Sequence, residues 1–316
     1  MMTANDVRFL EHDDFRVGGV RVPRDLVGGF RDSTDVKEPH ELRQRFLDDG
    51  YVFLRGVLDT PDVLAAREEV FSRLVDVGEI QSPAIEGIAT GQSNRRELAD
   101  DLVAFWRSVS EGPALRQVSH GREVRAILQS IFGESPRPQD YLWLRPRGVG
   151  WSTGLHYDHP FFARGSPNVC TAWIPLGEIP LAEGPLMLVE SSHRFRDLIG
   201  SMHDKNELVN RSPEAANQVA FDGEWNQDAI AFTNRRQARL LSADLSVGDL
   251  LVFGMNTLHG SLDNHSAIGR VRLSCDVRYQ PASDPLDERY FGPDPTGASG
   301  EGYGDMNSCK PLTEVS

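Results

Sequence analysis

The chain has 316 residues, 39% of them hydrophobic, with a mean hydropathy of −0.38, which suits one large or two small globular domains and excludes a largely disordered polymer. No window approaches the roughly 18 to 20 uninterrupted apolar residues of a membrane span, and the polar start MMTANDVRFLEHDD lacks the features of a signal peptide, so a cytoplasmic protein is expected. The net charge of −14 is spread without a basic stripe, which argues against nucleic acid or an anionic membrane as partner and for a small molecule.

Residues 1–40 are rich in Gly and Asp, show no periodicity, and are expected to form an arm without confident elements. From 41 to 135 the chain reads as mainly helical. ELRQRFLDD is a short helix, YVFLRGVL (Tyr51 to Leu58) a strand, and DTPDVLAAREEVFSRLVDVG a longer helix. Thr60 is its expected cap, Pro61 its first residue, and Val63, Val70 and Val77 with Leu64 and Phe71 form one apolar stripe that should face a sheet. ADDLVAFWRSV and REVRAILQSIFG continue at helical spacing.

Between 136 and 280 the texture changes to short strand-like runs: YLWLRPR, STGLHYD, VCTAWIPLGEI, GPLMLVE, ARLLSA, GDLLVFG and RVRLSCDVRY. No helix between them is long enough for βαβ crossovers, so the expected class is mainly β with flanking helices (α+β), an antiparallel sandwich or jelly roll on a helical buttress. A polar insert at 194–237 interrupts the strands and is expected to be a lid or disordered. The Pro- and Gly-rich tail, 281–316, should wrap over the surface, and the whole of 1–316 reads as a single domain.

Cys170, Cys275 and Cys309 are odd in number and form no CxxC, so any metal must use nitrogen and oxygen ligands. GxxxxGK[ST], GxSxG, HExxH and GxGxxG are all absent. Side chains at i and i+2 of a strand share a face, which singles out two His-x-Asp pairs. His12-x-Asp14 lies in a solvated charge run of the arm; His156-x-Asp158, in GLHYDHPFF, lies in the β-rich section. A third histidine, His259, follows the apolar strand DLLVFG, and Arg270 comes eleven residues later. Two histidines and a carboxylate occupy one face of an octahedron, as in non-haem ferrous oxygenases. A guanidinium would then hold the distal carboxylate of a chelating 2-oxo acid.

From Leu42 to Tyr279 the sequence resembles the phytanoyl-CoA dioxygenase (PhyH-like) family of iron(II)/2-oxoglutarate-dependent oxygenases. The resemblance rests on DGYVFLRGVL, the His156-x-Asp158 pair, TAWIPLGEIPLAEGPLMLVESSHR and HGSLDNHSAIGRVRLSC. It implies a double-stranded β-helix in which His156, Asp158 and His259 hold Fe(II) and Arg270, assisted by the Ser261 hydroxyl, binds 2-oxoglutarate. Trp173 resembles the family's aromatic residue near the co-substrate, and the Thr153 hydroxyl is expected to reach co-substrate or water. His193, His159 and His265 are expected outside the ligand set. The activity implied is oxidation of a substrate by O2 with release of succinate and CO2. With Asp158 present no ligand position is vacated for a halide, which favours hydroxylation or desaturation over halogenation.

In RVRLSCDVRY the residues Arg270, Arg272, Ser274, Asp276 and Arg278 share one face, and in YLWLRPR so do Tyr141, Trp143, Arg145 and Arg147. Arg145, Asp276 and Arg278 are therefore candidate contacts for a polar substrate. Only three of the 33 basic residues are lysines, so an arginine at any one position is a weak signal, and no basic cluster suited to coenzyme A stands out. A small polar or natural-product substrate is expected. Two other readings stay open: a cupin-type metalloenzyme that does not use 2-oxoglutarate, and a non-catalytic metal-binding jelly roll.

Overall fold

The computed structural model describes residues 15–304 except 163, 203–227 and 299. Among them, helices α1 (Pro39–Asp49), α2 (Thr60–Asp76), α3 (Leu102–Ser110), α4 (Pro113–Ser119) and α5 (Arg122–Phe132) form the expected helical layer. The cap of α2 is Asp59, whose carboxylate accepts from the Asp62 amide, one residue before the expected Thr60. Val63, Ala66, Val70, Phe71 and Leu74 of α2 are wholly buried and pack in the core that the helices share with a sheet. Burial of each larger side chain in this stripe contributes about 1.5 to 3 kcal/mol.

That sheet has five strands, β4 (Tyr51–Leu54), β9 (Leu250–Gly254), β6 (Cys170–Pro175), β11 (Arg272–Pro281) and β5 (Pro136–Arg147), in that spatial order and antiparallel throughout. A second sheet runs β10 (His259–Ser261), β7 (Leu186–Val189), β8 (Leu240–Ser242), β3 (Val27–Gly29). Strand alternation sorts the side chains between layers. Leu250, Val252, Ala172, Ile174, Leu273, Cys275 and Val277 turn to the helices. Tyr51, Phe53, Trp173, Leu251 and Phe253 turn the other way and meet Leu186, Leu188 and Leu241 of the second sheet.

The architecture is thus a mixed α/β sandwich, and the two sheets do not close into a barrel among the described residues. Two expectations change. The arm contributes β3, parallel to β8, and a bridge from Asp32 to Phe53, so it belongs to the sandwich. STGLHYD is not a strand; it meets β10 of the second sheet through the bridge of His156 to His259 and the hydrogen bonds between Thr153 and Ser261. Most described residues of the tail are exposed or half-buried, but Tyr290 and Tyr303 anchor it in the core. The Tyr290 hydroxyl donates to the Phe161 carbonyl and Tyr303 stacks on Tyr141 with ring centroids 4.7 Å apart. Helix α6 (Ala229–Arg236) lies within the 194–237 insert where a lid was expected, while 203–227 of that insert lie outside the described residues, as does His12-x-Asp14.

Candidate metal centre

His156 and His259 are brought together by the backbone. Each amide donates to the other's carbonyl, at 2.8 and 2.9 Å, the reciprocal pattern of one hydrogen-bonded antiparallel pair. The two rings sit with centroids 4.1 Å apart. Asp158, two residues on, completes a set whose candidate ligand atoms all lie within 4.8 Å of one another. Gly260 allows this approach: a Cβ there would stand 2.6 Å from the Thr153 carbonyl oxygen and 3.1 Å from that of Gly154. Gly260→Ala is therefore expected to push β10 away from the His156 segment, lowering stability by about 1 to 3 kcal/mol and weakening metal binding. Thermal unfolding with and without added metal checks both effects.

The hydrogen bonds of the rings fix which nitrogen is free. His156 Nδ1 lies 2.9 Å from the Gly154 carbonyl and His259 Nδ1 3.0 Å from that of Thr257. A carbonyl only accepts, so each Nδ1 carries the hydrogen and each Nε2 offers a lone pair, as metal-binding histidines require. Both rings are held neutral. Burial, reinforced by the neighbouring His259, pushes His156 down to about 3, and burial lowers His259. For Asp158 burial acts in the opposite sense, yet Arg278, the two histidines and the Thr171 hydroxyl together hold the carboxyl well below the usual carboxylate range. Two neutral imidazoles and one carboxylate on adjacent backbone form a donor set that fits a divalent iron.

The structure separates the two arginines that share the β11 face. Arg270, expected to bind 2-oxoglutarate, is already paired, with Nη1 3.1 Å from Glu183 Oε1, and its amide donates to Ser266 Oγ. Arg272, one strand repeat further in, is 3% exposed and donates only to neutral oxygens, Gly184 O at 3.1 Å and Ser274 Oγ at 2.8 Å. It has no ion-pair partner among the described residues. Its guanidinium lies 6.0 Å from the Trp173 ring centroid, and burial, helped by Arg147, brings its pKa down to about 9. Ser261 is buried, and its Oγ accepts from the Thr153 amide at 2.8 Å, so Ser261 and Thr153 meet beside the histidine pair.

The candidate substrate contacts pair largely among themselves. Arg145 Nε sits 3.2 Å from Asp276 Oδ2 and the guanidinium lies over Trp143. Arg278 donates to Asp158 itself, through Nη2 at 3.2 Å from Oδ1 and 3.1 Å from Oδ2. Asp276 Oδ1 and Trp143 Nε1 are buried without a hydrogen-bond partner. His159, His193 and His265 stand outside the ligand cluster, and His193 lies against Gly50 and accepts from Arg194. Sequence reasoning missed the Thr171 hydroxyl, which donates to Asp158 Oδ2 at 2.6 Å, and the acid that occupies Arg270. Alternation could have found Thr171, since it lies on the Trp173 face of β6; nothing local marks Glu183.

Comparison with known proteins agrees with this centre. The family model for phytanoyl-CoA dioxygenase (PhyH) matches residues 46–271. The 1-deoxypentalenic acid 11-beta-hydroxylase of Streptomyces exfoliatus is 27% identical over 268 residues, 82% of this chain and 87% of that protein. Its namesake from Streptomyces arenae is 26% identical over 292 residues, 90% and 96% of the two chains. Among solved structures, the non-heme alpha ketoglutarate dependent carbocyclase SnoK from nogalamycin biosynthesis superposes with a TM-score of 0.51 at 19% identity, covering 90% of this chain and 95% of that one. EctD from S. alaskensis gives 0.51 at 15% identity, with 93% of each chain covered. With the family model spanning most of its length and the His-Asp-His cluster in place, the chain belongs to the phytanoyl-CoA dioxygenase (PhyH) family of iron(II)- and 2-oxoglutarate-dependent oxygenases.

Proposed function

We propose that this enzyme hydroxylates, or desaturates, a small natural-product substrate. The observation that carries the reading is the joined histidine pair, each Nδ1 tied to a carbonyl, with candidate ligand atoms of both rings and of Asp158 within 4.8 Å of one another. Bound iron with 2-oxoglutarate would supply the oxidant, with release of succinate and CO2. Around it the chain's own residues orient the reactants. Arg272 takes the distal carboxylate of 2-oxoglutarate in place of Arg270, because Glu183 already neutralises the latter. Trp173 walls the co-substrate, and Ser261 with Thr153 lines its approach to the histidines.

Natural-product chemistry is supported by the relatives, hydroxylases of 1-deoxypentalenic acid. The facing sheets are read as the double-stranded β-helix of the family, within one domain over 1–316. A cytoplasmic site of action fits Cys170 and Cys275, which are free, buried thiols. No helix among the described residues is long and apolar enough to cross a membrane.

Anaerobic titration of the iron(II)-loaded protein with 2-oxoglutarate tests the reading. A weak visible charge-transfer band of the chelate is expected in the wild type and is lost in His156→Ala. Bound metal without a band would replace this reading with the cupin-type alternative.

A further inference from the structure

Arg278 has no place in the reactions above, yet it touches a metal ligand. It is 1% exposed, its guanidinium lies 4.7 Å from the Phe162 ring centroid and 5.5 Å from that of Trp143, and Nε and Nη1 make no hydrogen bond. Its one strong polar attachment is Nη2, shared between the two oxygens of Asp158. The flanking aromatic faces favour a cation there and fix its plane.

The donors are unequally divided between the carboxylate oxygens. Oδ2 receives both Arg278 Nη2, at 3.1 Å, and the Thr171 hydroxyl, at 2.6 Å. Oδ1 receives only the shared Nη2, at 3.2 Å, and lies 3.9 Å from His259 Nε2, on the side where the three ligands converge. A carboxylate oxygen with two donors on it has little capacity left for a metal.

We propose that Arg278, with Thr171, is a positioning residue that reserves Asp158 Oδ2 and makes Asp158 a one-oxygen ligand through Oδ1. A two-oxygen carboxylate would consume one of the three positions that a co-substrate chelate and oxygen need together. The arginine thus keeps the metal open by occupying a carboxylate oxygen rather than by touching the metal or the substrate. This rests on the assignment of His156, Asp158 and His259 as metal ligands.

The test uses the full-length protein loaded anaerobically with Co(II), whose visible d–d spectrum reports coordination number, together with Co(II) titration and thermal unfolding. In Arg278→Met the spectrum is expected to change, with metal affinity weakened about ten- to a hundredfold, the size usual for lost partners of metal ligands. Arg278→Lys, which keeps a donor, is expected to restore much of the wild-type spectrum. Should Arg278→Met fail to fold, Thr171→Val removes the other donor on Oδ2 and is expected to move the same spectrum in the same direction. A folded variant whose spectrum matches wild type, with metal affinity within about twofold, overturns the proposal. His259→Ala separates this failure from that of the parent reading: if it binds Co(II) as wild type does, the ligand assignment itself is wrong.

Discussion

Replacing Arg272 with leucine is expected to weaken 2-oxoglutarate binding by about two orders of magnitude while leaving the folded protein at least as stable as before. The two effects share one cause. Arg272 is a buried guanidinium that forms no ion pair among the described residues, with Asp276 acting on it only through space, and burial has lowered its pKa to about 9. Holding such a charge out of water costs several kcal/mol, so an apolar side chain of similar bulk should be neutral or stabilising. The same cation would give two charge-assisted hydrogen bonds to the 2-oxoglutarate carboxylate, each worth about 1.5 to 3 kcal/mol, and a tenfold change in affinity needs only about 1.4. Arg270→Leu should behave in the opposite way. It frees the buried Glu183, whose pKa burial already raises, so it should lower thermal stability and change the 2-oxoglutarate Kd only a few-fold, about 1 kcal/mol or less. Titrating 2-oxoglutarate into both variants, beside a thermal melt of each, decides between the arginines. Equal loss of affinity in both, or loss in Arg270→Leu alone, would return the anchor to Arg270.

Asp158→Ala is expected to abolish iron binding and, unlike Arg272→Leu, to destabilise the metal-free protein substantially. The substitution removes a ligand and also strips Arg278 of its main acceptor, leaving only Asp276 Oδ2 at 3.7 Å. Removing one partner of a buried ion pair costs about 3 to 5 kcal/mol. For a chain of this size that corresponds to a fall in Tm of roughly 4 to 8 °C, measurable by calorimetry without metal. Asp158→Ala with Arg278→Met should recover part of the lost stability without recovering iron. A single variant as stable as wild type would show that the pair contributes nothing to the fold.

Strand alternation was the most legible feature of the sequence. It placed the even residues of RVRLSCDVRY on one face and gave the inner surface its Arg272, Ser274, Asp276 and Arg278. The His156-x-Asp158 pair and His259 were legible as chemistry. The reciprocal backbone bridge that joins them was not, because it links two chain segments about a hundred residues apart through peptide groups common to every residue. Alternation also fixes a face without fixing depth. Arg270 and Arg272 are equivalent by phase, and only the chain around Glu183, folded back over the end of β11, shows which of them is already occupied.

The arm was illegible for a related reason. Strand β3 is three residues long, two of them glycine, and its pairing with β8 is backbone hydrogen bonding that leaves no side-chain pattern. In the tail, composition suggests a run over the surface but gives no sign of the anchors, the buried rings of Tyr290 and Tyr303.

Strand β11 works as a ruler with a fixed graduation. Moving a basic side chain along it by two residues keeps it facing inward and shifts its position by about 7 Å, whereas a move of one residue turns it into the helices. With Arg272 as the proposed anchor, the distance from the ligand cluster to the anion anchor would change only in such steps. An enzyme of this architecture would select oxo acids by length in coarse increments, and a redesign for a longer or shorter co-substrate should start by relocating Arg272 by one full graduation.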